Sequence, residues 1–409
     1  MTQEQFKKPK NVALIILVAS LGYFVDIYDL VIFSIVRIQS FKDIGVHEDL
    51  MRKQGEFVIN VQMAGLLLGG FIWGIIGDKY GRLKVLFGSI LLYSVANIIN
   101  GFVNDVNTYA IIRFIAGIGL AGELGAGITL VSESMPKNKR GYGTMIVAGV
   151  GVLGAAAAYF VAEHFNWRNA YFVGGGMGLL LLLLRVGIFE SSMFQQATDE
   201  HVARGKFSMI LTSKERLFRY LYCLGIGLPL WFVVGILITQ APEFGKALGS
   251  PDVLSAGKGI MLAYIGISIG EVIAGFIAQM TRSRRLVLAI FHVASLITVF
   301  IYLGSKGITE AQFGVLSFCL GLSVGYWATF VTVASEQFGT NLRATVTTTA
   351  PNFIRGFLIP VTFLFEFFVN HFGIINAGYI VMCILAVVSL FCTYKIRESF
   401  SLDLNYVEK

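Results

Sequence analysis

The sequence predicts an all-α integral membrane protein whose twelve transmembrane helices form two pseudo-symmetric six-helix bundles. Three observations predict it. The 409-residue chain is 56% hydrophobic and 14% charged, with a mean hydropathy of +0.72. That is more apolar surface than one soluble core can bury, so lipid must solvate much of it. Apolar runs of about 20 residues, the length that crosses the hydrocarbon, recur along the chain, and the polar segments between them repeat from the first half to the second.

In order, the runs fall at 12–37, 55–77, 84–104, 107–134, 141–163, 168–189, 217–241, 257–280, 286–305, 309–335, 343–369 and 373–396. The longest polar interval, 190–216, divides a first bundle (1–189) from a second (217–409). Glycine is abundant (46) and proline scarce (7), which suits helices in close approach. No ten-residue alternating pattern points to a β-barrel. The cysteines Cys223, Cys319, Cys383 and Cys392 sit in apolar runs without CxxC spacing and read as core residues. The first run is too long for a cleavable signal and lacks a small-residue cleavage site.

With the N-terminus inside, the inner segments hold more than twice as many lysines and arginines as the outer ones. This bias places both termini and the 190–216 linker in the cytoplasm. The same bias accounts for the net charge of +7 without a nucleic-acid partner.

Charges inside a bilayer are costly, so each is a candidate for function. At 1.5 Å per residue, Asp29 lies about 12 Å below the outer end of the first span and Arg113 about 9 Å below the outer end of the fourth. Their depths match, and Asp26 lies one turn deeper. Two readings stay open: a proton switch in which Asp29 or Asp26 releases Arg113, or a permanent pair bracing the first helix on the fourth. Glu123, about 15 Å further along the fourth helix, has no cation near it in sequence. It reads as a proton relay or as a neutral carboxyl bonded to helix backbone. Glu271 and Arg355 reach comparable depths in the second half. Arg355 could hold a substrate carboxylate bidentately, or pair with Glu271 or Glu366, or snorkel. Tyr28, Gln62, Gln240 and Asn352 could orient a small solute or simply pack.

The turn from Gly77 to Leu86 crowds Asp78, Lys79, Arg82 and Lys84 into a short polar stretch, and Gly77 and Gly81 permit its tightness. Its counterpart, Gln279 to Arg285, keeps cations and lacks the acid. Glu133 to Gly141, containing Arg140, is echoed by Glu336 to Ala344, containing Arg343. A duplicated six-helix unit is the mark of transporters that rock two bundles about a midplane site.

These stretches resemble the major facilitator superfamily. Gly77 to Leu86 is similar to its GxxxDxxGRR/K loop, and Arg113 to Glu123 to its fourth-helix RxxxGxGxGGE pattern. Asp26-Ile27-Tyr28-Asp29 resembles the (E/D)xYDF element of metabolite:proton symporters. Glu336 to Arg343 resembles their ExFPTxxR, with Gly339 in place of proline, and Glu190-Ser191-Ser192 resembles a degraded PESP element of sugar porters.

The resemblance implies a secondary active transporter of a bacterial inner membrane, not an enzyme. It implies proton-coupled import of a small polar metabolite, such as an organic anion, amino acid or zwitterion, by alternating access. It also implies an inner gate of Asp78, Arg82, Glu133 and Arg140, repeated as Glu336 and Arg343. The fifth helix lacks the Gly-Pro pair of drug antiporters, which favours uptake. A proton-coupled exporter, an uncoupled facilitator or a non-transporting receptor or scaffold are the alternatives. The expected partners are a small-molecule substrate, protons and lipid, with the chain acting as a monomer and no cofactor beyond the proton gradient. The scattered histidines show no metal-ligand spacing, and the glycines at 149, 151, 154 and 174–176 lie in apolar helices rather than nucleotide loops.

Overall fold

The computed structural model describes residues 12–80, 82–123, 125, 127, 131, 140–190, 208–400 and 408. Of these, the side chains at 75, 77–80, 82–83, 140–142, 144–145, 187–190, 208, 340–341 and 344 are outside the description. Among the described residues every regular element is a helix. The first half contains α1 (Val12–Asp43), α2 (Glu48–Tyr80), α3 (Arg82–Asn100), α4 (Val106–Leu120), α5 (Arg140–His164) and α6 (Trp167–Glu190). The second contains α7 (Lys214–Phe232, continued by a π-helical turn Val233–Ile238), α8 (Ala256–Thr281), α9 (Arg284–Gly304), α10 (Glu310–Ser323 and Trp327–Glu336), α11 (Thr340–Gly356) and the run Leu358–Lys395.

Nine of the described helices are long and apolar enough to cross a membrane, and the apolar stretches Lys84–Asn100 and Val106–Leu120 are shorter. One of the nine, Thr345–Lys395, has 51 residues, about 76 Å as a straight helix and more than twice the hydrocarbon thickness. It reverses at Gly373, whose φ of 79° and ψ of 164° suit a residue without a Cβ. Side-chain contacts trace the reversal. Thr349, before the bend, meets Tyr220 near the start of α7, Tyr379 after it reaches Phe300 O near the end of α9, and Arg285 at the start of α9 donates to Thr393 O and Tyr394 O. Residues 358–372 thus complete α11, and 374–395 form α12, in keeping with twelve crossings.

Several expected boundaries move. α1 and α2 extend to Asp43 and back to Glu48, because an apolar window detects where lipid ends rather than where hydrogen bonding ends. α10 is broken between Ser323 and Trp327, and α7 contains Pro229, which removes one backbone donor just before the π-helical turn.

Internal duplication is visible in the packing. In the first half, Gly117 of α4 lies so close to Gln62 O of α2 that a Cβ would collide; in the second, Gly321 of α10 lies equally close to Ala263 O of α8. Equivalent helix pairs therefore use the same backbone-to-backbone contact.

The loops 44–47 and 249–255 share one end of the molecule, referred to below as the loop-44 end, since Arg37 and Glu243 meet there. At the opposite end, Glu398 caps α9: its carboxylate accepts from Ser283 Oγ (2.6 Å) and from the N–H groups of Arg284 (2.9 Å) and Arg285 (3.2 Å). Burial pushes the Glu398 carboxyl up, but the bonds from Ser283, Arg284, Phe400 and Arg285 outweigh it and hold it below the usual glutamate value.

Candidate functional site

Three buried arginines organise the interior, each on a different helix. Arg113 of α4 fills a polar shell inside the first half. Its Nη1 donates to Asp29 Oδ1 (2.7 Å) and Asn97 Oδ1 (3.0 Å), its Nη2 to the Asp29 carbonyl (2.8 Å), and its Nε to Gln62 Oε1 (3.2 Å). The meeting of Asp29 and Arg113 expected from matched depth is thus present. Tyr28 donates to Ala170 O of α6 (2.7 Å), so its hydroxyl ties α1 to a neighbour within the first half.

Arg185 of α6 holds Glu123 through both carboxylate oxygens. The cation that Glu123 lacks nearby in sequence thus comes from a distant helix. Both side chains are 1% exposed. Gly22 of α1 faces the pair closely enough that a Cβ would strike both Glu123 Oε1 and Arg185 Nη2.

Arg355 of α11 meets a residue of the other half. Its Nη2 stands 3.9 Å from Asp26 Oδ2, with both side chains at most 1% exposed. Its guanidinium lies over Trp231 at 5.8 Å, and its Nη1 reaches Asn352 Oδ1 at 3.5 Å. Neither Asp26 oxygen has a hydrogen-bond partner, nor does Arg355 Nε. Tyr23 of α1 and Tyr264 of α8 lie within electrostatic reach of both charges. Asn352 also donates to Ala121 O across the halves (3.0 Å). Of the pairings expected for Arg355, Glu366 meets Arg52 instead, and among the described ion pairs Arg355 reaches Asp26 and not Glu271.

A second inter-bundle cluster, unread from the sequence, closes the loop-44 end. Arg37 pairs with Glu243 (2.7 Å) and donates to Thr239 O (3.2 Å). Arg52 Nη1 meets Glu56 Oε1 (2.8 Å) and Glu366 Oε1, and its Nη2 donates to Glu366 Oε2 (3.0 Å). Gln240 donates to Glu56 Oε1 (2.7 Å), so it sits in this cluster, away from Asp26 and Arg355. Arg37 lies at the end of the expected run 12–37 and Arg52 just before the run 55–77, and the longer α1 and α2 carry both on helices facing the other half.

At the opposite end, Glu336 pairs with Arg284 (3.6 Å) and accepts from Ser399 Oγ (2.6 Å), while Arg343 Nε donates to Ser335 O (3.2 Å). The expected gate positions Gly77, Asp78, Gly81, Arg82, Glu133 and Arg140 lie outside the described side chains. The backbone of α2 continues helically through Asp78 to Tyr80. No group of three or more histidine, cysteine or acidic residues suited to a metal occurs among the described residues.

Comparison with known proteins agrees with this architecture. The family model described as Major Facilitator Superfamily matches residues 13–357. A putative metabolite transport protein of Haemophilus influenzae is 27% identical over 348 residues, covering 80% of this chain and 82% of the relative. The niacin transporter of Acinetobacter baylyi is 27% identical over 363 residues, covering 80% of each. Among solved structures, a proton:xylose symporter bound to 6-bromo-6-deoxy-D-glucose superposes with a TM-score of 0.68 at 18% identity, covering 96% of this chain and 97% of that one. The chain belongs to the Major Facilitator Superfamily and is a multi-pass membrane transporter, not an enzyme.

Proposed function

We propose that the protein imports a small organic anion together with protons by alternating access, as a monomer in the inner membrane of a bacterium. In this reading the loop-44 end faces outward and both termini are cytoplasmic. The observation that carries it is the Asp26–Arg355 pair, which spans the two halves at 3.9 Å with neither Asp26 oxygen hydrogen-bonded. A guanidinium so loosely held is available to a substrate carboxylate, which it can grip with two charge-assisted bonds. When the substrate takes Arg355, Asp26 loses its counter-ion and takes a proton. One anion and one proton enter together, and the charge of the site is unchanged. Arg113, with its donors already committed to Asp29, Asn97 and Gln62, is a brace in this scheme.

The names of relatives support a carboxylate: besides the niacin transporter, they include a sialic acid transporter of Escherichia coli, 27% identical, and a cis,cis-muconate transport protein of Acinetobacter baylyi, 24% identical. By the family pattern, Asp78, Arg82, Glu133 and Arg140 close the cytoplasmic end when the outer end opens.

Proteoliposomes with an alkaline interior test the reading with radiolabelled nicotinate, N-acetylneuraminate and cis,cis-muconate. At least one should accumulate above its equilibrium level, and a protonophore should abolish the accumulation. Equilibration without accumulation would instead make the protein an uncoupled facilitator, and gradient-driven loss from loaded vesicles an exporter.

A further inference from the structure

The cluster at the loop-44 end is short of one positive charge. Five ionisable side chains face one another there: Arg37 of α1, Arg52 and Glu56 of α2, Glu243 of the short helix Ala241–Leu248, and Glu366 of α11. Arg37 and Glu243 balance as a pair. Arg52 is left with two carboxylates, and both reach the same nitrogen, Nη1. Glu56 and Glu366 are also within hydrogen-bonding reach of each other. They are 9% and 18% exposed, so water screens them little. Two carboxylates brought together on one guanidinium nitrogen, in a poorly solvated place, repel each other, which a shared proton relieves.

The cluster is also short of a donor. Gln240 is 2% exposed and gives its Nε2 to Glu56, yet its Oε1 is buried without a hydrogen bond. A proton on the carboxyl pair supplies the missing charge, and its O–H donates to the other carboxylate rather than to Gln240 Oε1. Of the other neighbours, Tyr302 of α9 lies within electrostatic reach of Glu243. Among the described ion pairs no lysine or histidine reaches any of the five groups.

We propose that the loop-44 end carries a proton-binding site, one proton shared by Glu56 and Glu366 over Arg52, whose occupancy holds the two halves together at that end. Glu56 belongs to the first half and Glu366 to the second, so the proton sits on the seam that must part for the outside to open. With the proton bound, Arg52 and the carboxyl pair are neutral as a set and the acid–carboxylate bond crosses the seam. With it lost, two like charges face each other across the same seam and favour separation. The site rests on the proposed orientation only in taking the loop-44 end as the outer one.

The test reads conformation rather than transport. Spin labels at His47→Cys and Val253→Cys, exposed positions on the loops of opposite halves, report the gap after the four native cysteines are replaced by alanine. Distances are measured by pulsed dipolar spectroscopy in nanodiscs between pH 5 and 8, without substrate. The short-distance population should grow as pH falls, its ratio to the long one changing up to about tenfold per pH unit, the slope of one bound proton. Glu366→Gln and Glu56→Gln each leave a neutral partner and a single carboxylate, so the gap should stay short and lose its pH response. Arg37→Lys, which keeps the balanced pair, should retain that response. A wild-type gap that ignores pH, or a Glu366→Gln gap that still follows it, would overturn the proposal. Neither result touches anion uptake through Arg355, and absence of uptake leaves the pH response of the gap intact.

Discussion

Arg355→Ala should abolish uptake, lowering transport at sub-saturating substrate by on the order of 100-fold or more. Losing a two-pronged grip on a carboxylate removes about 3 kcal/mol of charge-assisted hydrogen bonding, and each 1.4 kcal/mol is a factor of ten in affinity. Arg355→Lys keeps the charge but not the planar fork or its place over Trp231, so it should recover only part of the loss, chiefly as a raised KM. The variant should still fold, because Asp26 can take up a proton once its counter-ion is gone. Initial uptake rates across a substrate series, beside a thermal unfolding curve, separate the two effects. Wild-type KM in Arg355→Ala would show that the guanidinium does not touch substrate.

The largest stability effect is expected at Glu123 and Arg185. Glu123→Gln strands a guanidinium that is 1% exposed, and removing one partner of a buried pair typically costs about 3–5 kcal/mol. Replacing both, Glu123→Leu with Arg185→Met, should recover most of that loss, since well-packed apolar side chains often match a buried pair. Thermal unfolding of the purified variants in one detergent reads the difference. A relay role predicts another pattern: Glu123→Gln would unfold like wild type while proton uptake fell. Gly22→Val offers an independent probe, because its side chain would occupy the place of the same two charged groups.

The crossings were legible because burying or lipid-solvating about 20 apolar residues leaves a plain composition signal. Boundaries were less so: α10 is broken between Ser323 and Trp327, where Gly325 lies against Gly270 of α8, a contact that sequence alone does not show. Asp29 and Arg113 could be matched because depth alone brings adjacent helices of one bundle together. Asp26 and Arg355 could not, since depth gives no azimuth and their helices belong to different halves. Arg185 follows six leucines, Leu179 to Leu184, and the rule that singled out Arg113 applies to it equally. The loop-44 cluster stayed hidden for another reason: Arg37 and Arg52 flank expected span ends, where cations normally serve topology.

Coupling in this scheme depends on Asp26 exchanging a proton for the hold that Arg355 has on it. Asp26→Asn fixes that site in its neutral form, and one comparison in proteoliposomes decides the matter: exchange of labelled for unlabelled substrate against accumulation driven by a pH gradient. The predicted result is exchange within a fewfold of wild type and no accumulation. Full gradient-driven accumulation by Asp26→Asn would show that Asp26 does not carry the coupling proton and return it to Asp29 or Glu123.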